Sequence, residues 1–333
     1  MSYRLSLLDK SPIPEGATAA EALQRTTLLA QRAEALGYHR FWVAEHHGTA
    51  LLASSAPEVL AAHLLARTQR IRIGSGGVML QHYAPYKVAE AFKLLAALAP
   101  GRVDLGVGKA PGGLPASTRA LQARHDPSNG PTFAQLLADL DGFLSAAPGR
   151  ALAGPLPPVL PERILLGGSP DSAELAAAQG WAFCYAGHFN GDPAHIERSL
   201  QAYRRAGGRA PLLALYALAA ATQAEAERLA GALRLYKLHL STGQSVNLPT
   251  LAAAAEFARQ AGFERPEDYR IEELRPQVLA GTPERVRSAL DALHREFGVA
   301  EFVIDTPVPD FDQRLASVEL LARSFTPEPD SAD

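Results

Sequence analysis

One cysteine, Cys184, occurs in 333 residues. An internal disulfide is therefore excluded, and the chain must be held together by burial and hydrogen bonding, as suits a reducing compartment. Blocks of like charge are also missing. Lys and Arg number 32 against 35 Asp and Glu, for a net charge of −3, so there is no electrostatic footprint for nucleic acid. No apolar run reaches membrane-spanning length. The opening MSYRLSLLDK lacks a cationic stretch leading into a long apolar core, and it has no small-residue cleavage site, so no signal peptide is expected. With its richness in Ala, Leu and Arg, the chain is expected to be cytoplasmic.

What is present is ordinary for a globular enzyme: 47% hydrophobic and 20% charged residues. Short β-rich runs alternate with longer helical patterns. The runs at 3–8, 40–45, 71–77, 102–108, 163–168, 182–187, 212–219 and 301–306 read as strands. Helical patterns cover about 18–37, 56–68, 85–98, 132–146, 171–179, 193–206, 222–235, 283–297 and 311–325, the first stopped by Gly37. Eight strands, each followed by a helix, predict an α/β fold, a (β/α)8 TIM barrel forming a single domain over 1–333. A doubly wound sheet is the alternative. Insertions are expected after strands 4 and 7: a Gly/Pro-rich piece at 110–131, with no helical pattern for some twenty residues, and a long connection at about 236–282. In a barrel such additions go to the catalytic face and can form a lid.

Polar residues collect at the ends of these strands. WVAEHH places Glu45, His46 and His47 at the end of strand 2, Gly76 and Gly77 close strand 3, and Lys109, Ser169 and His188 follow strands 4, 5 and 6. Read alone, Glu45-His46-His47 is either a polar surface turn or a reaction centre. A barrel favours the second, because it gathers strand ends on one rim. Zinc is disfavoured: adjacent strand residues point to opposite sides, and HxH and HExxH are absent, so no metal is expected. GVGKAPG fails as a dinucleotide fingerprint because Pro111 replaces its third glycine. In GGSPDSAELAAAQG, Ser169 is a good N-cap, Pro170 sits at the first helical position and Ser172 is two residues on. Such a helix start suits a phosphate, although a well-capped helix with Asp171 in its first turn explains the stretch equally simply. His46 is a natural acid/base near neutral pH. His188 reads as a residue that only lines the pocket or acts in it, Cys184 as buried packing, and His82 and Tyr83 as loop residues.

FWVAEHHG, followed by IRIGSGGVMLQHYAPYKVAEAFKLLAALAPGRVDLGVGKAPG, resembles the bacterial luciferase-like flavin-dependent monooxygenases. The resemblance spans nearly the whole chain, from LSLLD to SVELLARSF. It implies a barrel that holds reduced FMN from a separate NAD(P)H:flavin reductase and uses molecular oxygen to oxygenate a small organic substrate. A homodimer is expected. The resemblance further implies that Glu45, His46 and His47 lie beside the flavin ring and that Gly76-Gly77 carry a non-proline cis peptide. It puts Lys109, Gly168, Ser169 and Ser172 around the phosphate. Lys109 stands where the family usually has arginine, Gly168 replaces an acidic residue of luciferase, and Gly108 replaces its reactive cysteine, which argues against light emission. Two other functions fit the same scaffold: a deazaflavin-dependent oxidoreductase, whose strand 2 signature more often lacks the second His, and a non-catalytic flavin-binding protein.

Overall fold

A computed structural model describes residues 3–125, 130–188 and 191–325. In chain order the elements are β1 (Arg4–Asp9), α1 (Ala19–Ala35), β2 (Arg40–Val43), α2 (Pro57–Arg67), β3 (Arg72–Met79), α3 (Pro85–Leu98), β4 (Val103–Gly108) and α4 (Pro115–Leu121). There follow α5 (Phe133–Leu144), β5 (Glu162–Gly167), α6 (Pro170–Ala178), β6 (Ala182–Ala186), α7 (Pro193–Arg205), β7 (Leu212–Ala219) and α8 (Gln223–Ala232). The last are β8 (Leu235–Leu240), β9 (Ser245–Leu248), α9 (Leu251–Gln260), β10 (Tyr269–Leu274), β11 (Val278–Gly281), α10 (Pro283–Phe297), β12 (Glu301–Asp305) and α11 (Phe311–Phe325).

β1 through β7 and β12 pair in parallel around a closed ring: β7 joins β6 on one side and β12 on the other, and β12 joins β1. This is the expected eight-stranded barrel. The strands are apolar on both faces, as parallel strands between two packed layers must be. Alternation sorts them. Leu8, Trp42, Ala44, Ile164, Ala182, Cys184, Leu212, Ala214 and Val303 cluster inside the barrel. Their sequence neighbours Leu7, Phe41, Val43, Leu165, Phe183, Leu213 and Phe302 join the helices in the larger core. Cys184 is thus buried packing, as expected, and burial pushes its thiol pKa up.

Polar side chains fill the barrel floor. Arg40 donates to Asp104 at 2.9 Å and to Glu301 at 3.1 Å, while Trp42 Nε1 donates to Asp104 at 3.0 Å. Arg40, Asp104 and Glu301 are 1%, 0% and 3% exposed. Charges so deep persist only when matched, and here each finds its opposite.

Four sequence expectations need correction. β2 stops at Val43, so Glu45 already belongs to the loop. Gly76 and Gly77 do not close β3 but lie within it, at a register shift between Ser75 and Val78. There Ser75 Oγ donates to the Gly106 carbonyl at 2.8 Å and accepts from the Gly106 N–H at 3.1 Å, replacing ladder bonds. The segment after β4 contains the seven-residue α4, starting at Pro115, too short to show a period; residues 126–129 of that segment lie outside the described residues. Finally, the connection after α8 is not irregular. β8, β9 and β10 form an antiparallel sheet in the order β10-β8-β9, α9 packs on it through Phe257 and Ala258, and β11 returns to pair with β7.

The two insertions touch each other. Leu114 packs into the small core of the β8–β10 lobe, the Ala116 N–H donates to Gln260 Oε1 at 2.8 Å, and Arg119 donates to the Gln260 carbonyl at 2.9 Å. The first insertion is tied to the segment after β2, where His47 bridges to Gly113.

Candidate functional site at the barrel mouth

Extending each strand's alternation by one step places the next inward residue at the mouth: Lys10 after Leu8, His46 after Ala44, His188 after Ala186, Tyr216 after Ala214 and Asp305 after Val303. The apolar interior thus ends in a polar layer. Lys10 Nζ lies 2.5 Å from Asp305 Oδ2 and 3.1 Å from the Tyr216 hydroxyl, and sits 4.9 Å over the Tyr216 ring centroid. His188 packs against the same ring at 5.8 Å between centroids. Burial opposes the ammonium charge, but Asp305 and Tyr216 outweigh it and hold the Lys10 pKa above the usual lysine value.

His46 faces this layer. Burial, then Lys10 and His47, push its pKa down to about 3, and its buried Nδ1 has no hydrogen-bond partner among the described residues. Burial, with Lys10 and His46, also holds His188 well below the ordinary histidine value. The expectation of a histidine titrating near neutrality is therefore corrected: with Lys10 this close and little water, His46 is a neutral imidazole.

Glu45 and His47 face the other way, toward the helix layer, so the doublet divides as strand alternation requires. Glu45 is 1% exposed and accepts three hydrogen bonds: the Met79 N–H at 3.1 Å, the Tyr83 hydroxyl at 2.8 Å and His47 Nε2 at 2.7 Å. Burial and Glu45 in turn raise the Tyr83 pKa. The His47 N–H donates to the Gly112 carbonyl at 2.7 Å, tying the loop after β4 to the motif. His82, read from sequence as a loop residue, is buried, with Nε2 2.8 Å from the Pro111 carbonyl.

The Gly76-Gly77 peptide is cis, as expected. A side chain at either position would strike the barrel itself. A Cβ on Gly76 would come 2.7 Å from Leu8 Cδ1, and one on Gly77 would come 2.7 Å from the backbone of Gly106. Close approach of β3 to its neighbours is thus sufficient reason for both glycines.

At the end of β5, Ser169 caps α6, its Oγ accepting from the Ser172 N–H at 3.3 Å and lying 3.1 Å from Ser172 Oγ. A Cβ on Gly168 would meet nothing within 4 Å, so space is open beside the two hydroxyls. His195 Nε2 lies 2.8 Å from the Gly168 carbonyl, and Arg198 lies 2.9 Å from His195 Nδ1. Lys109 follows the neighbouring strand β4, exposed and, among the described residues, with no hydrogen bond to either serine. The structure therefore joins Glu45 to His47 and Ser169 to Ser172, and leaves Lys109 apart.

Sequence reasoning missed Lys10, Tyr216 and Asp305. Their signal was available: each is the polar residue two positions beyond an inward apolar residue, Leu8, Ala214 or Val303.

A family profile described as luciferase-like monooxygenase matches residues 4–301. The chain is 43% identical to N-acetyl-S-alkylcysteine monooxygenase of Bacillus subtilis (strain 168), over 96% of this chain and 97% of that protein. Among solved structures, apo-MsnO8 superposes with a TM-score of 0.78 at 34% identity, covering 97% of each chain. The oxygenating constituent of 3,6-diketocamphane monooxygenase from Pseudomonas putida, in complex with FMN, shares the fold at a TM-score of 0.69 and 17% identity. The chain belongs to the luciferase-like monooxygenase family. It is an oxidoreductase of the barrel class whose structures include flavin- and deazaflavin-binding enzymes.

Proposed function

We propose that this protein is a flavin-dependent monooxygenase that takes reduced FMN from a separate NAD(P)H:flavin reductase, consumes molecular oxygen and oxygenates a small organic thioether of the N-acylated cysteine type. The observation that carries this reading is that the barrel mouth holds a buried His46 after β2 and a serine pair at the helix start after β5, in a chain 43% identical to N-acetyl-S-alkylcysteine monooxygenase. FMN, when bound, supplies the electrons that activate oxygen.

The chain's own residues fit that group. Ser169 and Ser172 present hydroxyls at the N-terminus of α6, where backbone N–H groups and the helix dipole favour an anion, and Gly168 leaves the room a phosphate needs. Lys109, exposed after the neighbouring strand β4, makes no hydrogen bond to the serines among the described residues and would have to reach the phosphate through its flexible side chain. Gly76 and Gly77, which carry no side chain into the barrel, would form part of the wall against which the ring lies. Glu45 fixes the orientation of His47 and, through Met79 and Tyr83, the loop around it. His46 would enter the reaction as a neutral imidazole, able to hold or pass one proton at its buried Nδ1. The α4 segment and the β8–β10 lobe exclude water above.

Mixing the purified chain with FMN or with a deazaflavin tests the assignment. FMN should bind with micromolar or better affinity, and oxygen uptake on N-acetyl-S-benzylcysteine should require NADH and an added flavin reductase. Preference for the deazaflavin with no oxygen uptake would overturn the reading, and fast NADH oxidation by the chain alone would remove the separate reductase. Lys109→Ala should weaken FMN roughly tenfold or less, because an exposed charge contributes about 1.5 kcal/mol at most, while riboflavin should bind unchanged. Equal losses for both would place Lys109 outside the phosphate cup.

A further inference from the structure

The mouth layer contains one donor whose direction the geometry fixes. An ammonium donates and never accepts. At 3.1 Å the Tyr216 oxygen therefore accepts from Lys10, and the phenolic hydrogen points away from it. Among the described residues, that O–H meets no protein acceptor. The ring itself is held: Lys10 lies over it at 4.9 Å and His188 packs on it at 5.8 Å. Asp305, register partner of Tyr216 across β12 and β7, pairs with the same ammonium at 2.5 Å. Three adjacent strands, β7, β12 and β1, thus hold an ordered chain from Asp305 through Lys10 to Tyr216. Its charges cancel, and it leaves one O–H aimed across the mouth.

We propose that Tyr216 is a substrate-binding residue that donates its O–H to an uncharged acceptor oxygen of the substrate, an amide or ester carbonyl, and that Lys10 and Asp305 are the positioning residues that aim it. This inference rests on the monooxygenase reading for the existence of an organic substrate, but not for the direction of the donor. The acceptor is uncharged because the layer offers no uncompensated cation. The Lys10 charge is matched by Asp305, and the imidazoles of His46 and His188 are neutral. A carboxylate brought here would lose its water and meet Asp305, whereas a carbonyl needs only the one donor present.

Two probes separate this role from simple packing: N-acetyl-S-benzylcysteine, which carries an amide carbonyl, and benzyl methyl sulfide, which carries none. Binding is measured by titration calorimetry on the FMN-loaded chain, and FMN affinity by fluorescence quenching. Tyr216→Phe should weaken the first probe about 3- to 10-fold, the size of one neutral hydrogen bond, and leave benzyl methyl sulfide and FMN within about twofold. Lys10→Met combined with Asp305→Asn, which keeps the layer neutral, should lose as much of the first probe's affinity by releasing the hydroxyl. Adding Tyr216→Phe to that pair should cost nothing more. Equal effects on both probes, additive losses, or a wild-type chain that binds FMN but neither probe would overturn the proposal. Loss of binding for the acid with the Lys10 pair alone, and not with Tyr216→Phe, would show instead that Lys10 takes the carboxylate. A wild-type chain that does not bind FMN would overturn the monooxygenase reading itself.

Discussion

His46 stays neutral in the folded protein, with its pKa near 3, whereas an unfolded histidine titrates at about 6.5. Between those values the unfolded chain binds the extra proton, so stability rises with pH across this window and is lost as pH falls below about 6.5. The slope is about 1.4 kcal/mol per pH unit, or about 2 kcal/mol between pH 7 and pH 5. Urea unfolding at both pH values, compared between wild type and His46→Gln, reads the effect directly. The variant's loss on acidification should be smaller by about that amount, and equal losses would mean that the folded imidazole takes up the proton after all. His188, shifted in the same direction, supplies a parallel loss that this substitution leaves in place.

β3 shows how an element is shaped by what its neighbours leave no room for. A Cβ on Gly77 would sit 2.7 Å from the Gly106 backbone, which cannot move aside, whereas one on Gly168 meets open space. Gly77→Ala should therefore destabilise by about 3 kcal/mol or fail to fold, while Gly168→Ala should change the melting temperature little. Comparable melting points for the two would refute the packing account. Much of this was legible in the sequence. The long amphipathic helices carried their own period and stops, as in α1 with its Thr18–Glu21 capping box, and the eight barrel strands were continuous apolar runs. The lobe was not legible. In β8 and β9 polar Lys237, His239 and Asn247 alternate with core-facing Tyr236, Leu238, Leu240 and Val246, so neither reads as the apolar run that marks a barrel strand, while β9 and β11 are only four residues long. The site divided along the same line. Glu45, His47, Ser169 and Ser172 are local pairs that spacing reveals, whereas Lys10, Tyr216 and Asp305 meet only because the barrel closes. The protonation of His46 depends on burial and on Lys10, neither of which spacing encodes.

On the whole molecule, apolar side chains crowd one flank. Val59 on α2 and Leu94 and Leu98 on α3 are 66%, 51% and 70% exposed, beside a groove between the two helices lined by Ala62, Ala66 and Leu98. Such a surface suits the expected homodimer. Light scattering should give twice 35.4 kDa, and Leu94→Glu with Leu98→Glu should halve it; a monomeric wild type at micromolar concentration would count against this face. The opposite end of the barrel axis has a consequence of its own. The Arg40–Asp104–Glu301 plug fills the barrel from below, so on the proposed function cofactor and substrate would both enter from the mouth side. Whatever enters second confines what entered first, and whatever leaves must leave in reverse. Turnover becomes a queue, and initial-rate patterns should show compulsory order rather than random access.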